Sequence, residues 1–76
     1  MKELIEFLAR GLVDNPDEVR IEEDADRDRV VYHLEVAEGD MGKVIGKEGR
    51  IANAMRSLLK VAAARDGTRV SLEIGD

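Results

Sequence analysis

Gly46 and Gly49 stand three residues apart in the stretch VIGKEGRI (Val44–Ile51), with Lys47 and Glu48 between them and Lys43 and Arg50 on either side. Residues without a side chain let another backbone come close, and they reach the positive φ angles that a tight loop needs. An amphipathic pattern of helical spacing begins directly after Gly49. A helix starting there aims its unpaired N–H groups and the positive end of its dipole at the loop, which favours an anion. The chemistry on offer is close, non-covalent capture of phosphates, with Lys47 adding a charge.

Other chemistries that these residues suggest do not fit their spacing. A P-loop needs four residues between its first glycine and the Gly-Lys pair, then a hydroxyl for magnesium. Here three residues separate Gly42 from Gly46, and Glu48 stands where the hydroxyl belongs. A dinucleotide fingerprint needs GxGxxG inside a βαβ unit, whereas Gly42, Gly46 and Gly49 run GxxxGxxG. His33 is the only histidine, there is no cysteine, and no acid–base partner for His33 is identifiable, so it reads as a surface residue on a strand. Glu22, Glu23, Asp24, Asp26 and Asp28 lack the glycine and terminal glutamate of a calcium loop. The expectation is no metal, no cofactor and no enzymatic activity.

The elements that must position the loop follow from periodicity. Leu4, Ile5, Leu8 and Leu12 recur at helical spacing over Lys2–Val13, with Gly11 near the apolar face as a point of close approach, and Pro16 ends the helix. Val19 and Ile21 alternate with Arg20 and Glu22 as a short strand, EDADRD (Glu23–Asp28) supplies a polar turn, and Val30, Tyr32, Leu34 and Val36 form the longest alternating run. Asp40 is placed to cap one turn of helix over Met41–Ile45. Beyond the loop, Ile51, Met55, Leu58 and Ala62, flanked by Ala54 and Leu59, share one helix face. Arg50, Asn53, Arg56, Ser57 and Lys60 gather on the other, where Arg56 and Lys60 suit either a solvated surface or a contact with the ligand of the loop. Gly67 closes this helix, and Val70, Leu72 and Ile74 make a last strand. The order is α-β-β-α-α-β, and Phe7 and Tyr32, the only aromatics, are assigned to the core.

Charge is distributed unevenly along these elements. The 76 residues carry a formal net charge of −5, which argues against a nonspecific nucleic-acid glue. Residues 1–40 are net −8, residues 41–65 are net +5 and residues 66–76 are net −2, so the positive excess lies in and after the glycine stretch. The charged N-terminus fits neither a signal peptide nor a membrane span. With no cysteine to oxidise, a cytoplasmic setting is expected.

A lone Gly-x-x-Gly reads as a plain turn, but aliphatic residues on both sides, between a one-turn helix and a long basic-faced one, narrow the choice. The stretch resembles the KH domain, whose signature is an aliphatic-Ile-Gly-x-x-Gly-x-x-aliphatic segment joining two helices. Its loop clamps the backbone of about four nucleotides. The helix and strand placed before the core β-α-α-β are similar to the type II arrangement, and the size resembles the small stand-alone bacterial KH proteins of the KhpA group. The resemblance implies a single α+β domain over residues 1–76, a three-stranded sheet with three helices on one face. It implies that single-stranded RNA is held by Lys43, Val44, Ile45, Gly46, Lys47, Glu48, Gly49, Arg50 and Ile51, with Val44, Ile45 and Ile51 as an apolar wall for bases. A small RNA chaperone or post-transcriptional regulator is the expected role, with a homodimer, or a heterodimer with a larger KhpB-like KH protein, as partners. The rival expectation is a protein-interaction module that uses the fold to dimerise and binds little RNA. Glu48 sharpens that rivalry, because it leaves the loop itself neutral and acts either as a brake on phosphate binding or as a charge that orients the following helix.

Overall fold

Alternating side chains give a strand two faces, and three such strands make the sheet of this protein. In the computed structural model, which describes residues 1–75, β1 (Arg20–Asp26) pairs antiparallel with β2 (Arg29–Glu35). β2 in turn pairs parallel with β3 (Arg69–Ile74), so β2 is central. A parallel neighbour requires a crossover, which α2 (Met41–Ile45) and α3 (Arg50–Arg65) supply, while α1 (Lys2–Leu12) leads into the sheet. Single 3-10 turns occupy Pro16–Glu18, Glu38–Asp40 and Lys47–Gly49. The element order is the one that periodicity predicts.

All three helices contribute to one core on one face of the sheet. Ile5 and Ala9 of α1, Val44 of α2, and Met55 and Leu59 of α3 pack with Ile21, Tyr32, Leu34 and Leu72 from the strands. The opposite face carries the polar alternates, including the cross-strand row Glu22, His33 and Glu73. There His33 Nδ1 lies 3.0 Å from Glu73 Oε1.

Several expectations need correction. β1 continues to Asp26, and only Arg27 and Asp28 form the turn, Arg27 with φ 53°. Polar side chains signal a turn in sequence, yet they cost little on an edge strand whose backbone pairs with β2, and charge there discourages pairing with another sheet. α3 is rotated from its predicted face: Ala52, Met55, Leu59 and Ala63 are buried, whereas Leu58 is 54% exposed. The helix is apolar on two flanks, and periodicity alone does not say which flank meets the sheet. Phe7 is 75% exposed and lies outside the core that holds Tyr32. Nothing comes within 4 Å of the space a Cβ would fill at Gly11. These displaced residues share a place, because Phe7, Leu8, Leu12, Ile51, Ala54 and Leu58 line an open apolar groove between α1 and α3.

Candidate nucleic-acid interface

The loop between α2 and α3 is built from positive φ angles. Gly46 has φ 77° and ψ 172°, Glu48 has φ 58° and ψ 24°, and Gly49 has φ 75° and ψ 14°. The Gly46 conformation belongs to a region that only glycine occupies readily. A Cβ there would sit 2.6 Å from Ile51 Cγ1 and 2.9 Å from the Ile51 backbone nitrogen. Gly46 is thus pressed against the start of α3, and the Gly49 N–H donating to the Gly46 carbonyl at 3.1 Å closes the loop. Gly49 is different. A Cβ on it would meet only Asn53 Nδ2, at 3.8 Å.

α3 begins with no side-chain cap and no acidic residue in its first turn. The Arg50 N–H donates back to the Lys47 carbonyl, and the N–H groups after it have no side-chain partner, the condition under which a helix start attracts an anion. Lys47 is exposed beside them. Glu48 makes no cap; its Oε2 accepts from Arg50 Nη2 at 3.4 Å, both side chains being exposed. An exposed pair of this kind is weak and screened, so it partly offsets the Arg50 charge without locking it.

Asp40 departs from the predicted capping role. Its side chain caps no N–H of α2 and lies buried, at 1% exposure. There it accepts from the backbone N–H of Asp14 at 3.3 Å, from the N–H of Asn15 at 3.0 Å, from Asn15 Nδ2 at 3.1 Å and from Lys43 Nζ at 3.5 Å. Burial pushes this carboxyl up, but the donations from Asn15, Asp14 and Lys43 together outweigh it and hold it below its ordinary value. Lys43 also reaches Asp14 Oδ2 at 3.0 Å. Its ammonium is raised in pKa chiefly by the hydrogen bond and charge of Asp14, with Asp40 adding to them. Lys43 therefore serves as a strut between α2 and the segment after α1, rather than as an unattached charge on the loop.

The remaining predicted residues separate in the same way. Val44 is fully buried in the core, so it supports the loop from beneath and is no part of an exposed wall. Ile45 and Ile51 are half-buried and pack against the core, which leaves them as the apolar surface at the loop. The structure brings Ile45, Gly46, Lys47, Glu48, Gly49, Arg50 and Ile51 together at the start of α3, and it withdraws Lys43 and Val44.

From Asn53, whose amide is the nearest atom to the space a Cβ would fill at Gly49, a cleft of about 440 Å³ runs between α3 and the edge strand β3, lined by Asn53, Arg56, Ser57, Lys60, Val70 and Ser71 among others. Arg56 spans it, with Nε donating to the Leu72 carbonyl at 3.1 Å and Nη1 to Asn53 Oδ1 at 3.2 Å. Leu72 thus turns its carbonyl away from β2, and because main-chain groups alternate along a strand, Val70 turns its own N–H and C=O the same way. The polar face of α3 is visible in sequence. That β3 forms the other wall is not, since it depends on β3 pairing with β2 and leaving its far edge open.

The mixed sheet, the two helices joined by the Gly46–Gly49 loop, and the leading α1 and β1 define a KH domain of the type II arrangement. The chain belongs to the KhpA/KhpB KH-domain family, whose description, KhpA/KhpB, KH domain, matches residues 2–74. It is similar to the RNA-binding protein KhpA of Chlamydia trachomatis, at 49% identity over 97% of this chain and 95% of that one. The RNA-binding protein KhpA of Clostridium acetobutylicum is 50% identical over 97% of this chain and 99% of its own, and that of Halalkalibacterium halodurans is 49% identical over all of both. No solved structure matches the chain.

Proposed function

We propose that this protein binds single-stranded RNA without catalysis, seating the sugar-phosphate backbone on the Gly46-Lys47-Glu48-Gly49 loop and the bases in the cleft between α3 and β3. The observation that carries this reading is the succession of a two-glycine loop, a helix start without a side-chain cap and, from Asn53 onward, a cleft walled by an open strand edge. Phosphates meet the α3 N–H groups, Lys47 and Arg50. Bases lie on Ile45 and Ile51, and their edges meet Asn53, Arg56 and the main chain of Val70, groups that a duplex would keep from its paired bases. The relatives' name, RNA-binding protein KhpA, supports the same reading. We place the activity in the cytoplasm, as a small RNA chaperone or post-transcriptional regulator. Among the described residues no helix is long and apolar enough to cross a membrane.

The test is a titration with single-stranded and duplex RNA at several salt concentrations, on the wild type and on Gly49→Asp. Gly49 is the better position for the substitution because Gly46 has no room for a side chain, whereas aspartate tolerates a left-handed conformation. Single strands should bind better, with a log-log salt slope of roughly −1.5 to −3 from two to four phosphates. Gly49→Asp should remain folded and lose binding. A folded variant that binds RNA as well as the wild type would reject the loop.

A second reading rests on the α1–α3 groove. Phe7 and Leu58 are 75% and 54% exposed, and the groove is rimmed by Glu3, Glu6 and Arg10 on the α1 side, Arg10 lying 3.7 Å from Glu6, and by Arg50 on the α3 side. An apolar floor with a net acidic wall on α1 and a cation on α3 is self-complementary under a two-fold axis, which favours a second copy as its occupant. A larger KhpB-like KH protein offering the same surface is the alternative partner. The groove shares Arg50 and Ile51 with the RNA reading, so pairing and RNA binding meet at the start of α3, while the α3–β3 cleft lies apart from the groove.

A further inference from the structure

The cleft does not end at Leu72. It continues into a second open hollow of about 430 Å³ lined by Arg29, Lys60, Ala63, Ala64, Thr68 and Arg69, and the two share Lys60, Val70 and Ser71. Alanines at 62, 63 and 64 leave the last turns of α3 without side chains long enough to fill it. From Gly49 to Ala64 the wall of α3 is about 22 Å long at the rise of an α-helix, so the hollow lies well beyond the loop.

Its charges are unusual in an acidic chain. Arg29 and Arg69 are direct partners in the β2–β3 register, where like charges destabilise one another. Lys60 faces the same space from α3, and all three side chains are exposed. Asp26 lies opposite Arg29 on its other side, and Asp28 and Asp66 are close in sequence. Even so, among the described residues no carboxylate comes within 4.0 Å of the charged nitrogens of Arg29, Lys60 or Arg69.

We propose that Arg29, Lys60 and Arg69 form a second phosphate-binding subsite, which holds the backbone of a single-stranded RNA beyond the nucleotides seated at the Gly46–Gly49 loop. The inference rests on the loop reading and extends it: the recognised ligand is a longer single strand, and length is part of what the protein selects.

The experiment compares oligouridylates of four and of eight nucleotides by competition anisotropy on the wild type, Gly49→Asp and Arg29→Gln/Lys60→Gln/Arg69→Gln. Glutamine removes each charge and keeps most of the stem. An eight-mer gains roughly fivefold from its extra registers alone, with no second subsite. The wild type should exceed that, preferring the eight-mer by twentyfold or more, on the order of one added phosphate-rich contact set. The triple variant should fall back to the statistical value and flatten the eight-mer salt slope by about 1.4, the value for two phosphates on a single strand, while Arg29→Gln/Arg69→Gln, which leaves the cleft nearer the loop untouched, should lower the eight-mer preference with four-mer affinity unchanged. An eight-mer preference that survives the triple variant would overturn the subsite. So would a triple variant that loses solution mass and keeps its RNA affinities, since the cations would then serve the acidic β1 edge of a second copy. Binding of the eight-mer that survives Gly49→Asp and vanishes in the triple variant would instead reject the loop and keep the subsite. Lys60→Glu alone, on an exposed helix face, repeats the test without touching the sheet.

Discussion

The two glycines of the loop are not equivalent, and substitution should separate them. At Gly46 an added methyl meets Ile51 at 2.6 Å in a conformation other residues avoid, so Gly46→Ala should cost about 2–4 kcal/mol. Gly49→Ala, with open space and a left-handed φ, should cost about 1 kcal/mol. A 76-residue domain has a total of order 4–11 kcal/mol to lose, so urea denaturation will resolve the difference. Equal losses would mean that Ile51 yields readily and Gly46 is no more constrained than its neighbour. Between them, Glu48 touches only Arg50. Glu48→Lys should therefore tighten RNA several-fold and steepen its salt dependence, since reversing an exposed charge near a phosphate is worth about 1 kcal/mol per unit before screening. A lowered melting temperature with unchanged affinity would assign Glu48 to the helix instead. Asp40 extends the argument to pH. Its folded-state pKa is lowered, so its contribution to stability is present above the unfolded value, near 3.8, and is lost as pH falls through the lower folded value. Asp40→Asn should lower the melting temperature at neutral pH and lose less than the wild type between pH 5 and pH 2. Parallel melting curves for the two proteins would disprove this linkage.

At the scale of elements, the sequence disclosed which segments are helix or strand more readily than how they face one another. The alternation of Val30, Tyr32 and Leu34 and the helical spacing after Gly49 are local properties, and both appear where they predict. The loop was legible for the same reason: its glycines are required by backbone angles within four residues. What was hidden depends on partners distant in sequence. Asp40 looked like a cap because Asp14 and Asn15, which it holds, lie 25 or more residues away. Lys43 looked available for RNA until Asp14 claimed it. α3 offered two apolar flanks, and only the packing of β3 and α2 chose Met55 and Leu59 over Leu58 for the core. Arg56 gained its place in the cleft from the Leu72 carbonyl, a group that exists as an acceptor only because β3 is an edge.

For the whole molecule, the unassigned apolar area lies on the side that α1 and α3 share. Filling it with a second copy would bury Phe7 and Leu58, each worth roughly 1.5–3 kcal/mol when fully removed from water. Leu58→Asp should therefore yield a protein of monomeric mass across the micromolar range, with a melting temperature that no longer rises with concentration. Its affinity for a four-nucleotide strand should be unchanged, while longer RNAs that reach two copies lose their added avidity. A wild-type mass that is already monomeric at every concentration would dismiss the self-pairing reading.

The parallel pairing of β2 with β3 has a consequence in time. The β1–β2 hairpin closes over a two-residue turn, and such local contacts form within microseconds. β3 must instead return across forty residues to find β2, from Arg69 to Arg29, the kind of distant contact that slows folding. One wall of the α3–β3 cleft is therefore absent until that strand docks. β3 is the last element of the chain order, so α1 and the hairpin are made well before the strand that completes the cleft. The proposed RNA cleft is thereby the last part of the molecule to be completed, and its appearance should track the slowest folding phase, not the closure of the hairpin.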